Sequence, residues 1–175
     1  MTVSEFALEF SRPIAVDRLS SVEFVEAIEA DSGERARLAE RFGLVSLDRL
    51  DASVRIRRRE GGNVRVAGQL AADIVQTCVI TLEPFPSHIE DSFTVEYTEA
   101  PPEAKQDLSL DLEYETPEPI EGGIIDVGEL VAQHLSLALD PHPRAPGAEL
   151  DQRWSDSGQN EPSPFAVLEK LKREN

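Results

Sequence analysis

The 175-residue chain contains one cysteine, one tryptophan, three lysines and three histidines, and aromatic residues make up only 6% of it. Each shortage closes off a class of chemistry. A lone thiol, Cys78, cannot build an internal disulfide framework, and it suits a reducing compartment. Zinc needs about four ligands, and no second Cys or His stands at close spacing to Cys78. The histidines, His88, His134 and His142, are scattered and match no metal or nucleophile pattern. The only adjacent glycines among the ten are the isolated pairs Gly61-Gly62 and Gly122-Gly123, so there is no phosphate-cradling loop. No apolar run approaches the roughly 18 residues that a membrane span requires. The first ten residues alternate polar and apolar, with no basic start and apolar stretch, so no secretory signal is expected and the cytoplasm is the expected compartment.

Basic residues are also scarce: 17 Lys+Arg face 34 Asp+Glu, a net charge of -17. The deficit is uneven, -5 over residues 1–95 and -12 over residues 96–175. Such a chain repels nucleic acid at long range and attracts basic proteins. The carboxylates lack the alternating Asp/Asn and Gly pattern of a calcium loop and read as solvated surface. With no convergent reactive groups, an enzyme is not expected, and no cofactor or metal is assigned.

What is present is mostly architecture. From Asp126 to Pro146 the spacing predicts a helix of about four turns. Asp126 is the cap, Glu129 reaches back to the cap's own amide, and Pro141, Pro143 and Pro146 form the stop. Val127, Leu130, Val131, Leu135 and Ala138 share one face, with His134 on that apolar side. Two short strands are expected, over Phe6–Phe10 and around Val22–Ile28. A short helix then runs from an Asp31 or Ser32 cap to a Gly43 stop.

Between Val54 and Leu82 the apolar residues keep even parity on both sides of Glu60-Gly61-Gly62. Even parity requires an odd loop, here three residues with Gly62 left-handed. The strand after the turn is expected to be about 18 residues long and to bend near Gly68 or Asp73, as strands do when a sheet curls toward a barrel. Cys78 falls on its apolar face, where burial raises a thiol's pKa. The same register gathers Arg55, Arg57, Arg59 and Arg65 on the opposite face, the one concentrated basic surface and a candidate RNA-binding site. A solvated face, or one covered by the chain's own acidic loop, is the plainer reading.

Fold class and organisation follow: an α+β fold with a curved, partly barrel-like antiparallel sheet and flanking helices. Residues 1–140 form one domain, with an acidic loop at about 99–123 in which Leu108, Leu110 and Leu112 alternate. Residues 141–163 read as a flexible linker, and residues 164–173 as a tethered C-terminal helix. Its stripe of Phe165, Leu168 and Leu171 is the candidate partner-binding surface.

Three segments in order resemble the YceD family of large ribosomal RNA subunit accumulation proteins, in the variant found in alphaproteobacteria. They are Cys78-Val79-Ile80-Thr81-Leu82-Glu83-Pro84, the helix from Asp126 to Pro141, and Pro164-Phe165-Ala166-Val167-Leu168 with Leu171-Lys172. Thr81 stands where many members have a second cysteine, and residues 144–147 lack the cysteines that some carry, so no metal site transfers. The resemblance implies a non-enzymatic cytoplasmic accessory factor for large-subunit ribosomal RNA accumulation and ribosome biogenesis. Its partner would be ribosomal RNA or a basic ribosomal protein, and neither a membrane nor DNA. The net charge tilts the choice toward the protein. The competing reading is a general protein-interaction module, unrelated to ribosomes, whose C-terminal helix docks on a partner.

Overall fold

The computed structural model describes residues 8–99 and 117–149. Chain order is β1 (Pro13–Ala15), β2 (Phe24–Glu29), α1 (Ser32–Phe42), β3 (Ser46–Arg58), β4 (Asn63–Thr77), β5 (Pro84–Thr98), β6 (Glu118–Pro119), β7 (Ile124–Asp126) and α2 (Val127–Ala138). Five strands form a sheet in the order β2-β3-β4-β5-β6, antiparallel except for the parallel β5–β6 pair, and β1 pairs with β7 in a separate two-stranded sheet. The large sheet is curved but open, so the α+β expectation holds without barrel closure.

The β3–β4 hairpin follows the parity of its apolar residues. Arg58 pairs with Val64 around the three-residue turn Glu60–Gly62, and both Gly61 and Gly62 adopt positive φ. Even-numbered Val54, Ile56, Val64, Val66, Leu70, Ala72 and Ile74 are buried on one face. A register shift between Leu47 and Arg49 lets Leu47 and Leu50, of opposite parity, both point inward. The irregularity thus lies in β3, whereas β4 is continuous over its 15 residues in pairing with β5. Gly68 sits in unbroken register with β5, opposite Phe93. It leaves room for the Phe93 ring, which a Cβ at residue 68 would approach to 2.2 Å, and His134 of α2 stacks on that ring at 4.1 Å.

Phe10 departs from expectation. The described residues before Pro13 form no strand, and Phe6 lies outside the described residues. Phe10 instead enters the core fully, because Gly128 at the start of α2 lets the helix come close: a Cβ there would lie 2.6 Å from the Phe10 carbonyl oxygen. Asp126 caps α2 through the amides of Gly128 and Glu129, and its carboxylate also accepts from the Arg12 amide and the Ser11 hydroxyl. Glu129 does not complete a capping box. It is drawn into a bidentate pair with Arg41 of α1, at 2.8 and 2.9 Å, which is stronger than a bond to one amide.

The complete capping box belongs to α1. The Asp31 side chain accepts from the Glu34 amide while Glu34 accepts from the Asp31 amide, and Gly43 closes the helix in the left-handed conformation. Glu34 is buried and takes both arms of the Arg12 guanidinium, at 2.7 and 2.9 Å. Arg12 holds the Glu34 carboxyl below the ordinary carboxylate range, against the opposing effect of burial. A depressed pKa contributes stability that is present above the ordinary value and lost as pH falls through the folded value. Glu34→Gln is therefore expected to cost about 2 kcal/mol at neutral pH. In chemical denaturation, its gap to the wild type should narrow below about pH 4.

Candidate nucleic-acid interface

Helices and the small sheet cover the even-numbered face of β3 and β4; the odd-numbered face is open. Register places Arg57 opposite Arg65, Arg55 between Val25 and Ala67, and Arg65 opposite Glu96. Arg59 opens the hairpin turn, its amide donating to the Asn63 carbonyl at 2.7 Å. Four arginines therefore converge on one end of the outer face, as the parity implies. Like charges directly opposite one another on a sheet are destabilising, by roughly 0.2–1 kcal/mol per pair.

Ion pairing is uneven among the arginines, and Arg18, Arg35, Arg37 and Arg144 elsewhere on the molecule also have no carboxylate partner among the described residues. Arg12, Arg41, Arg49 and Arg58 each bond a carboxylate, Arg58 taking both oxygens of Glu99 at 2.9 and 3.0 Å. Arg65 lies 3.7 Å from Glu96. Arg55, Arg57 and Arg59 have no ion-pair partner among the described residues. At the corner, Ser21, Arg57, Arg58, Arg59 and Asn63 line a recess of about 620 Å³. Ser21, Arg58 and Asn63 are not marked by the parity pattern, although the unbroken run Arg57-Arg58-Arg59 could have drawn attention to Arg58.

The opposite end of the same face is neutralised internally. Arg49 bridges Asp51 at 2.6 Å and Asp73 at 2.7 Å, and Asp73 also meets His88 Nδ1 at 2.6 Å. Arg49 and then His88 hold the Asp73 carboxyl low, while Asp73 raises the His88 imidazole. His88 is thus a β5 residue in a charge network, not a loop residue. Between the two ends the outward positions are Ser53, Ala67, Gln69, Ala71, Ser92 and Thr94, small or polar and without an aromatic ring on which a base could stack. Among the described residues, this face carries guanidinium groups at one end and no aromatic stacking platform between its ends.

Cys78 is fully buried but lies beyond the end of β4, in a turn running to β5. The turn is tied to the Pro-rich stop of α2, since the Val79 amide donates to the Pro143 carbonyl at 2.9 Å. The thiol sulfur faces the amides of Ile80 and Thr81 at 3.4 and 3.5 Å. Its pKa moves opposite to expectation. The Thr81 side chain, with the Thr81, Ala145 and Ile80 backbone donors, brings it down to about 7 and outweighs burial. The described residues contain no cluster of three or more His, Cys, Asp or Glu arranged to hold a metal ion.

Residues 66–172 match the model of the YceD family, described as large ribosomal RNA subunit accumulation protein. The chain belongs to this family. No curated protein and no solved structure matches it. The YceD match takes in most of β4, the Cys78 turn, β5 and α2, and it extends over Phe165, Leu168 and Leu171, which lie outside the described residues, as does most of the acidic loop. It begins just after Arg65, so the four arginines lie on the part of the chain that the match leaves out. None of the described helices is long and apolar enough to cross a membrane.

The Cys78 environment makes a direct prediction. The thiolate absorbance of the folded protein should titrate near pH 7, and Thr81→Val should move the midpoint up toward the ordinary thiol range. Because the folded pKa is the lower one, Cys78 adds stability as pH rises from about 7 to 9, and Cys78→Ala should remove that rise. An unchanged midpoint in Thr81→Val would show that the hydroxyl is not the cause.

Proposed function

We propose that the protein supports accumulation of large-subunit ribosomal RNA by holding the RNA backbone against the arginine end of its outer sheet face. One observation carries the reading: Arg55, Arg57 and Arg59 stand together without a counter-charge among the described residues. Guanidinium groups bind phosphate oxygens through charge-assisted, often bidentate bonds, and Arg65 joins them by swinging away from Glu96. The net charge of -17 acts over longer range and is screened beyond about 10 Å at moderate salt. The local patch therefore governs contact, while the global charge limits non-specific binding. The family's description supports the ribosomal role and an accessory factor rather than an enzyme. A cytoplasmic setting follows from that role.

The second reading is an escort for a basic ribosomal protein, which the acidic balance supports. A pull-down separates the two: ribonuclease treatment should release ribosomal proteins if RNA is the bridge and leave them bound if the contact is protein to protein.

Replacing Arg55, Arg57, Arg59 and Arg65 with Gln tests the interface itself. Affinity for large-subunit ribosomal RNA should fall, and the slope of log affinity against log salt should shrink by about 3, corresponding to four lost phosphate contacts on unpaired strands. An unchanged slope would remove this face from consideration.

A further inference from the structure

α2 and the edge of β5 leave a groove of about 400 Å³ that no described residue fills. Its floor is apolar: Val95, Leu130 and His134, with Leu137 beside them. Leu137 is 79% exposed, the largest value among the large hydrophobic residues described. The floor is rigid, because His134 is stacked on Phe93, which in turn fills the space above Gly68. Glu118 supplies a carboxylate at the rim, where the edge of β5 passes at Thr94 and Glu96. β6 pairs only with Tyr97 and Thr98, so it covers the last residues of β5 and leaves the edge beside the groove open.

We propose that the C-terminal residues of this same chain occupy the groove, with Phe165, Leu168 and Leu171 against Leu137, Leu130 and His134. Three properties select this occupant. The first is chemistry: the three residues fall at i, i+3 and i+6, one side of a helix, and match an apolar floor of similar width. Charge is the second. Lys170, Lys172 and Arg173 are three of only six basic residues between positions 96 and 175, and they would meet Glu118 at the rim. The third is reach. Fifteen residues separate Glu149 from Phe165, enough chain for about 50 Å when extended, whereas α2 is about 18 Å long. Short tethering gives the segment a local concentration that a free partner would have to exceed.

Docking in cis bears on the competing idea of a partner-seeking helix, because a helix seated on its own domain is not presented to others. It also places the last part of the family match on the described part.

The test uses the full chain and isotope-edited NMR. In dilute wild-type protein, the Phe165 ring should show Overhauser contacts with the Leu137 methyls. The double variant Phe165→Glu/Leu168→Glu should shift the Leu137 methyl and His134 ring resonances and speed amide exchange at Val95 and Glu96 by about tenfold. Leu137→Glu, altered from the groove side, should release the same segment. Three outcomes overturn the proposal: groove resonances that do not move in the double variant, Phe165 contacts seen only between differently labelled chains, which would make the occupant a second copy, and groove resonances that respond only when a lysine-rich peptide is added.

Discussion

The pairing of Arg12 with Glu34 holds the two helices to one point in the fold. Glu34 belongs to the capping box of α1, and the amide of Arg12 is bound by Asp126, the cap of α2. One residue on a strand-less segment thereby positions the starts of both helices. Arg41 repeats the linkage from the other end of α1, reaching Glu9 and Glu129. The guanidinium of Arg12 also lies over the Phe10 ring, at 4.6 Å from its centroid, so the charged junction is continuous with the core. With the helices fixed on the inner side, the outer side of the sheet is free to carry function.

That division explains the two kinds of arginine in this chain. Arg12, Arg41, Arg49 and Arg58 hold elements together through short, often bidentate contacts to carboxylates, whereas Arg55, Arg57 and Arg59 at the hairpin end are unmatched among the described residues, as are Arg18, Arg35 and Arg37 elsewhere. A sheet tolerates unmatched guanidinium groups there because the hairpin end is solvated and each charge costs little in water. The same end carries the recess lined by Arg57, Arg58 and Arg59, which gathers guanidinium donors at the surface. The Cys78 turn lies at the opposite end of β4 and belongs to the joint between the sheet and the stop of α2.

Much of this was legible in the residue pattern wherever a strict period operated. The hairpin register, the three-residue turn and the arginine face follow from parity alone, and both helix starts follow from Asp31 and Asp126. What escaped the pattern was tertiary in origin. Phe10 alternates like a strand residue but is captured by the core because Gly128 lets a helix approach. The bulge near Asp48 hides β3's first half, since Leu47 and Leu50 break the even rule. Glu129 has the spacing of a capping box, yet Arg41, 88 residues away in sequence, offers it a better partner. The lowered thiol of Cys78 comes first from Thr81 in its own turn, and Ala145 adds to it from a segment that no local reading connects to the cysteine.

Crosslinking the protein to large-subunit ribosomal RNA with ultraviolet light, followed by mass spectrometry of the nucleotide-bearing peptides, tests the central claim most directly. Adducts are expected on the hairpin spanning Arg55 to Arg65 and none at the other end of the face, where Asp51 and Asp73 are paired with Arg49 and His88. Adducts confined to other segments, or an RNA-free protein that still co-purifies with ribosomal proteins, would contradict it.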